Sequence, residues 1–168
     1  SSSYVPYWIP TAADLDQDGD QEIIHGDTVY DHNGSYLWSV PFAGSYGHWA
    51  AVIDYDGDPE AEVVMVGAGN LGVYDHNGTQ LSLASVGTSQ PGAPCVADFD
   101  GDGDAEIGWA SSNVFQVTEL NGTIVWSNVI NDYSGLAACS GYDVDGDGVY
   151  EVLYADQDTF YIFDGSTG

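Results

Sequence analysis

Acidic residues at a fixed spacing are the feature of this chain best suited to chemistry. Residues 98–106 read DFDGDGDAE, with carboxylates at loop positions 1, 3, 5 and 9 and a glycine at position 6. A hard cation such as Ca²⁺ takes about six to eight oxygen ligands, and a glycine allows the sharp turn that brings alternate side chains onto one ion. The spacing therefore predicts a calcium loop.

The same pattern opens at three other places, which predicts up to four calcium ions, one in each loop. The predicted side-chain ligands are Asp14, Asp16, Asp18 and Glu22; Asp54, Asp56, Asp58 and Glu62; Asp98, Asp100, Asp102 and Glu106; and Asp143, Asp145, Asp147 and Glu151. In the second loop Pro59 replaces the glycine of position 6, and Gly57 lies at position 4. We therefore expect a different turn and a weaker site there. Mg²⁺ fits these loops less well, because it takes fewer protein ligands and keeps more of its water.

The charge of the chain is one-sided. Of its 168 residues 27 are acidic and none is Lys or Arg, but 43% are hydrophobic, which predicts a folded domain. The four loops supply 16 of the carboxylates, and four divalent ions would reduce the formal net charge from −27 to −19. We therefore expect the fold to depend on metal. Nucleic acid and anionic membranes are excluded as partners, because the chain has no Lys or Arg to meet a phosphate.

Short apolar runs of strand length accompany every loop, and no helical periodicity is present. Strand a is predicted before the loop at residues 3–13 and 45–53; strand b at 23–25, 63–66, 107–110 and 152–155; strand c at 28–30, 71–74, 114–118 and 159–163; and strand d at 36–40, 80–84 and 124–129. Turn dipeptides follow strand c at Asn33-Gly34, Asn77-Gly78, Asn121-Gly122 and Asp164-Gly165. They predict tight hairpins in which both residues take positive φ.

The loops start 40, 44 and 45 residues apart, and four short strands per unit are typical of β-propeller blades. The predicted fold is all-β, with four tandem four-stranded antiparallel blades in a partial or open propeller whose last blade lacks its own outer strand. We expect a single repeat domain over residues 1–168, with blades at about 1–43, 44–88, 89–133 and 134–168.

These units resemble FG-GAP or VCBS repeats, the calcium-loop blades of integrin α-subunit propellers and of many secreted microbial proteins. The resemblance covers essentially the whole chain and is carried by the four loops, whereas the Gly-Ala-Pro signature is present at residues 92–94 alone. It implies that loop position 7 binds calcium through its backbone carbonyl, at Asp20, Glu60, Asp104 and Val149.

The fourth unit has no strand d, so its strand c would expose an edge that proteins usually close or pair. Propellers of the resembled family usually have more blades than this chain supplies. The chain would be a fragment of a larger ring, an open array, or a subunit whose last strand comes from a neighbour. Head-to-tail donation of that strand would build a filament.

Several residues outside the loops are candidates for modification or packing. Asn33, Asn77 and Asn121 are each followed by Gly and then Ser or Thr, so they are N-glycosylation acceptors or simply turn residues. Cys95 and Cys139 lie on consecutive a strands and would form a disulfide or remain two buried thiols. The four histidines (His25, His32, His48, His76) lack metal-ligand spacing. The tryptophans Trp8, Trp38, Trp49, Trp109 and Trp126 recur at matching blade positions, which favours an inter-blade core over a sugar platform.

Catalysis has no support in the sequence, which offers no nucleophile elbow, no phosphate loop and no basic group, so we expect a protein that is not an enzyme. No stretch is apolar enough to span a bilayer and no signal-peptide pattern opens the chain, as expected of a mature or internal segment. We expect an extracellular or cell-surface, calcium-stabilised structural or adhesive protein. It would be a glycosylated filament subunit, with other copies, neighbouring blades or glycans as partners. The alternatives are a lectin-like carbohydrate-binding module and a piece of a larger secreted propeller.

Overall fold

A computed structural model describes residues 9–40, 48–87, 91–111, 113–132 and 137–168 of the protein. Within these ranges the chain forms fifteen strands in four antiparallel sheets, which confirms the all-β prediction. No helix in the described ranges is long and apolar enough to cross a membrane. Each sheet corresponds to one of the predicted blades.

The strands follow one another in chain order within each sheet. The first blade contains β1 (Thr11–Ala13), β2 (Glu22–His25), β3 (Thr28–Tyr30) and β4 (Tyr36–Ser39); the second contains β5 (Trp49–Ile53), β6 (Glu62–Gly67), β7 (Asn70–Tyr74) and β8 (Gln80–Ser85); the third contains β9 (Cys95–Ala97), β10 (Glu106–Ser111), β11 (Val114–Glu119) and β12 (Ile124–Val129); and the fourth contains β13 (Cys139–Tyr142), β14 (Glu151–Ala155) and β15 (Phe160–Phe163). The fourth sheet has three strands, as predicted. Strands b, c and d agree with their predicted bounds within one residue at each end. The predicted strand residues 3–8 and 45–47 lie outside the described part of the chain.

The turns between strands c and d differ from the prediction. In the first turn Gly34 has a positive φ of 84°, but Asn33 does not, and the Gly34 N–H donates to the carbonyl of Asp31 at 2.7 Å. The other two Asn-Gly turns are built in the same way, and a β-bulge in the strand pairing absorbs the extra residue. The expectation of positive φ at both residues was wrong, because a four-residue turn with a bulge needs it at the glycine alone. Neither Asp164 nor Gly165 has positive φ.

Three hydrophobic clusters fill the spaces between consecutive blades, because strand b sends alternate side chains to opposite faces of its sheet. The clusters centre on Leu15, Ile24 and Val29 with Val63 and Met65; on Val64, Leu71 and Val73 with Ile107 and Trp109; and on Phe99, Phe115 and Val117 with Val152 and Tyr154. In the second blade, Val63 and Met65 therefore face the first blade and Val64 faces the third. The core of this protein is a series of inter-blade layers.

Hydrogen bonds and a disulfide also join the blades. Trp38 and Trp126, on the d strands of the first and third blades, each donate their indole N–H to a carbonyl in the turn of the next blade, at His76 (2.7 Å) and Gly165 (2.5 Å). A disulfide joins Cys95 on β9 to Cys139 on β13, with their Cα atoms 5.3 Å apart. Of the two alternatives that the sequence left open for the cysteines, the structure has the disulfide, and it links the third blade to the fourth.

Candidate metal centres

Each acidic loop connects strand a to strand b of its blade. The glutamate at position 9 is the first residue of strand b, so the sheet fixes its backbone; Glu106, for example, pairs with Ala97 of β9. The aspartates lie on the loop itself, where no sheet positions them. The positions of the aspartates therefore depend on hydrogen bonds within the loop.

Backbone N–H groups of the loop bind its own aspartates. In the third loop, Asp98 accepts from the N–H groups of Gly101 (2.7 Å) and Gly103 (3.1 Å). The Asp100 carboxylate accepts from the Asp102 N–H at 3.2 Å, and Asp102 accepts from the Asp104 N–H at 2.9 Å. The fourth loop repeats all four contacts, and the first loop repeats all of them except the one from the N–H of position 4 to the aspartate of position 1. Turns of this kind suit Asp, because its short side chain reaches the backbone two residues later.

The glutamate of position 9 closes every loop in the same way. One of its oxygens, Oε2, accepts the backbone N–H of loop position 2: Glu22 from Leu15 (2.9 Å), Glu62 from Tyr55 (2.5 Å), Glu106 from Phe99 (2.7 Å) and Glu151 from Val144 (2.7 Å). The longer side chain thus returns from the strand to the start of the loop, as the spacing predicted.

The second oxygen of two of these glutamates is buried and has no hydrogen-bond partner among the described residues. These atoms are Oε1 of Glu62 and Oε1 of Glu106, and Oδ1 of Asp14 is in the same situation. Burial raises the pKa of Glu106 to about 7, against the opposing effect of the N–H donors of Phe99 and Asp100. Burial likewise raises the pKa of Glu62. Buried polar atoms normally have partners, and a divalent cation would supply one while favouring the ionised carboxylate.

The structure brings three carboxylates of each loop together, with one oxygen from each lying within 4.8 Å of the others. The groups are Asp14, Asp16 and Asp18; Asp56, Asp58 and Glu62; Asp98, Asp100 and Glu106; and Asp143, Asp145 and Glu151. The predicted ligands Glu22, Asp54, Asp102 and Asp147 are not within this distance in their groups, although each belongs to the same loop. At position 7 the N–H groups of Asp20, Glu60, Asp104 and Val149 donate to the aspartate of position 5. That their carbonyls bind metal stays a prediction.

Loop position 4 has a backbone requirement that the sequence reasoning missed. Its residue has positive φ in all four loops: Gln17 (59°), Gly57 (78°), Gly101 (79°) and Gly146 (82°). Three of the four are glycines, which was the available signal. The second loop therefore keeps the positive φ at position 4. It lacks the hydrogen bond that the N–H of position 6 donates to the first aspartate in the other loops, because Pro59 has no N–H to donate to Asp54. Asp54 is exposed, whereas the aspartates at position 1 of the other loops are half-buried.

A further acidic residue faces each of the first three loops from the turn between strands c and d. In the third blade this residue is Glu119, whose pKa is raised by burial and by the neighbouring Asp100, Asp102 and Asp104. In the second blade the residue is Asp75, which adds to the effect of desolvation and of Asp56 in raising the pKa of Asp58. In the first blade it is Asp31. Its neighbour His32 lies between it and the loop, with Nδ1 2.5 Å from Asp31 and 3.5 Å from Asp20. Sequence reasoning missed these neighbours because they are distant in the chain, although each opens its DHNG or ELNG turn.

A cleft of about 530 Å³ lies between the second and third loops. Its walls include Asp54 and Tyr55 of the second loop, Asp98 and Asp104 of the third, and Glu119. Tyr55 is exposed there. The cleft is acidic and has one aromatic side chain on its wall.

The predicted tryptophan, asparagine and histidine residues outside the loops differ in their burial. Trp49, Trp109 and Trp126 are buried and Trp38 is half-buried, which confirms the inter-blade core for these four; Trp8 lies outside the described residues. Asn33, Asn77 and Asn121 are exposed on their turns. Among the histidines, His32 and His76 lie beside Asp31 and Asp75 on the turns, whereas His48 is buried near Asp27. Burial lowers the pKa of His48.

Comparison with known proteins supports the repeat assignment. Residues 54–109, from the second loop into the strand after the third, match the FG-GAP-like repeat family. No curated protein matches the chain.

Several solved structures share the fold. One is the V. cholerae biofilm matrix protein Bap1, with 16% identity and a TM-score of 0.69 over 95% of this chain and 54% of that one. A second is a Bacillus licheniformis rhamnogalacturonan lyase, with 19% identity and a TM-score of 0.59 over 96% of this chain and 44% of that one. A third is an Agrocybe aegerita lectin that recognises non-reducing terminal N-acetylglucosamine, with 17% identity and a TM-score of 0.54 over 96% of this chain and 50% of that one. The chain thus spans about half the length of these proteins. At such identities the likeness concerns the fold alone.

Proposed function

We propose that this protein is an extracellular, calcium-stabilised repeat protein with a structural or adhesive role, the subunit of a surface filament assembled head to tail. The observation that carries the proposal is the loop geometry. Each of the four loops gathers three carboxylates within 4.8 Å of one another, and two of the closing glutamates keep a buried oxygen without a hydrogen-bond partner among the described residues. When bound, Ca²⁺ would supply the missing partner and offset the repulsion among the loop carboxylates.

The extracellular assignment is supported by the chemistry of the chain. A disulfide persists in oxidising compartments, and the Cys95–Cys139 pair links the third blade to the fourth in addition to their apolar contacts. Calcium sites with dissociation constants of about 0.1 to 1 mM, as in extracellular modules, fill where free calcium is high, as outside cells. The likeness to a biofilm matrix protein and to a lectin agrees with this location but does not identify a ligand.

N-glycosylation of Asn33, Asn77 and Asn121 is part of the proposal. All three side chains are exposed on turns. At the second turn the Thr79 hydroxyl donates to the Asn77 side-chain oxygen at 2.6 Å, so the acceptor amide and the hydroxyl that define the motif lie together. Sugars there would decorate the turns of three successive blades. Mass spectrometry of peptides from the native protein, before and after glycosidase treatment, tests this; unmodified peptides at all three sites would remove it.

We assign no catalytic role, because the carboxylates that could serve as acid and base are those of the proposed metal sites, and the chain has no Lys or Arg to stabilise a developing negative charge. The test of the main proposal combines calcium titration with imaging of native particles. We expect close to four ions per chain and filaments that disperse on chelation. Absence of calcium binding, or monomers at every calcium concentration, would overturn the calcium or the filament part respectively.

A carbohydrate-binding function is the second candidate, and the cleft beside Tyr55 favours it. An aromatic face next to carboxylates is a common platform for a sugar ring, and Tyr55 is exposed where its equivalents Leu15 and Phe99 are buried. A glycan array with the calcium-loaded protein tests it, with Tyr55→Ala as the variant and Tyr36→Ala, another exposed tyrosine, as the control. Selective binding that only Tyr55→Ala abolishes would establish this function over a purely structural one.

A further inference from the structure

The fourth blade has a large apolar face that no other blade covers within the described part of the chain. Ile162 and Phe160 on β15 are 55% and 63% exposed, and Val144 of the fourth loop is 50% exposed. Leu153 lies beside Ile162 in the strand pairing. These four residues define the open face of the fourth blade, on the side away from the third blade.

The strand positions of this open face are buried in the blades before it. Ile162 pairs with Leu153, the second residue after the loop glutamate. Val29, Val73 and Val117 each pair with the second residue after the loop glutamate of their own blade, so they are the equivalents of Ile162. Those three valines are 0% exposed because the next blade covers them. Phe160 corresponds in the same way to Leu71 and Phe115, both fully buried. Val144 occupies loop position 2, where Leu15 and Phe99 are buried and Tyr55 is exposed. The open face is therefore built as an inter-blade face.

The first blade has the complementary face at the other end of the series. The residue after the loop glutamate, which is Val63, Ile107 and Val152 in the later blades, faces the preceding blade and is fully buried there. In the first blade this residue is Ile23, which is 36% exposed. Ala12, its partner on β1, is also exposed. The chain thus carries one uncovered face of each of the two kinds that pair inside it.

We propose that the open face of the fourth blade docks on the Ile23 face of the first blade of a second copy of this chain. The occupant is a second copy because that copy supplies the same kind of face that covers every internal equivalent of Ile162. The contact is head to tail, so it leaves an open face at each end and extends without closing unless the rotation forms a ring. This inference rests on the proposed filament and names the surfaces that form it.

Charge sets the conditions under which the faces meet. Neither chain has a Lys or Arg, so no Lys- or Arg-based ion pair joins the copies and the net charges repel. Bound calcium reduces this repulsion, and salt at about 0.15 M screens it beyond about 8 Å. Apolar burial then provides the attraction, as it does between the blades within the chain.

The first test compares two charge substitutions on the calcium-loaded protein at physiological salt. Ile162→Asp places a carboxylate in the open face, whereas Ile124→Asp does so at a matched isoleucine on β12 that is 57% exposed. Sedimentation velocity over a concentration series should show self-association weakened about tenfold or more by Ile162→Asp and little changed by Ile124→Asp. Thermal melts check that both variants fold. Equal effects of the two variants, or no effect of either, would overturn the proposal.

The second test identifies both faces at once. Ile162→Cys and Ile23→Cys variants are mixed and treated with a short bis-maleimide, which reacts with the new thiols because Cys95 and Cys139 are bonded to each other. We expect covalent dimers from this mixture and few from Val129→Cys with Ile23→Cys, where Val129 is 84% exposed on β12. If filaments form but this cross-link fails, the filament proposal stands and the docking surfaces are wrong. If the chain binds calcium yet stays monomeric, both the docking proposal and the filament proposal are wrong, whereas the proposal of calcium sites is supported.

Discussion

At the scale of single residues, the loop glutamates combine two roles. Oε2 of Glu106 accepts backbone N–H groups that close the loop, and Oε1 of the same carboxylate is buried without a partner. A carboxylate with one oxygen bound to the backbone leaves the other available to a cation. The aspartates of the loop are arranged by turns of their own, so the glutamate is the residue that connects the candidate metal site to the sheet.

Replacing Glu106 by Gln should remove one calcium ion. The amide can still accept from Phe99, but it has no negative charge for the ion, so we expect about one fewer ion per chain in calorimetric titration and a lower unfolding temperature in calcium. Glu60→Gln is the control, because its side chain is not a predicted ligand although it lies in the second loop. Equal loss of calcium in both variants would contradict the assignment of Glu106.

Gln17 and Gly146 provide a test of loop position 4. Both have positive φ, a region that costs a non-glycine residue about 1 kcal/mol or more. We expect Gly146→Ala to lower the free energy of unfolding by about 1 kcal/mol, although an added Cβ would meet no atom within 4 Å. Gln17→Gly should raise the free energy of unfolding by about 0.5 kcal/mol. The substitution relieves the backbone strain of the folded state, and the greater conformational entropy of glycine in the unfolded chain offsets part of that gain. Urea unfolding in saturating calcium measures both, and changes of the same sign would contradict the argument.

At the scale of elements, consecutive blades are joined by a hydrogen bond from strand d to the next turn. Trp38 and Trp126 donate from corresponding positions of the first and third blades, opposite Val29 and Val117 in their strand pairs. Ser82 takes this position in the second blade, and its hydroxyl lies 3.5 Å from the carbonyl of Leu120. The bond is therefore a repeated feature of the blade, strong where the residue is Trp and weak where it is Ser.

Trp126→Phe should lower the free energy of unfolding by about 2 kcal/mol, since it removes the bond to Gly165 and part of a buried ring. Ser82→Ala should change it by less than about 0.5 kcal/mol, because the bond is long and half-buried. Chemical denaturation of both variants in calcium measures the difference. A Ser82 effect as large as that of Trp126 would show that blade docking does not depend on the indole bond.

At the scale of the whole molecule, stability depends on the balance between apolar layers and self-repulsion. The layers between blades are well packed, with Phe115 lying 4.8 Å from the ring centre of Tyr154. Against them stands a formal charge of −27 with no Lys or Arg. Calcium at the four proposed sites would reduce this repulsion, so the proposal makes the metal part of the fold.

Chelation should therefore destabilise the protein strongly, and salt should partly reverse the effect. At a calcium concentration about 100 times the dissociation constant each site contributes about 2.7 kcal/mol, so removal from four sites costs roughly 10 kcal/mol. We expect a large fall in unfolding temperature with EDTA, and a rise on adding about 1 M NaCl that is greater for the chelated than for the calcium-loaded protein. Thermal melts in the four conditions decide this, and an EDTA-insensitive melting temperature would show that metal is not part of the fold.

The sequence by itself determined the local structure of this protein. The acidic loops, the strands b, c and d within one residue, and the blade period could all be predicted, because turn chemistry and alternating apolar residues act over a few positions. The pairing of Cys95 with Cys139 and the inter-blade position of the tryptophans were also within reach, since equivalent positions of repeats come close in space.

Only the tertiary structure decided what depends on neighbouring blades. It left Oε1 of Glu106 without a partner among the described residues and aimed the Trp126 indole at Gly165, neither of which is encoded in local spacing. It also made Ile162 exposed while Val73 and Val117, at the same place in their blades, are buried. The reason is physical: a residue's type and strand position are local properties, whereas its burial depends on whether another blade lies against that face.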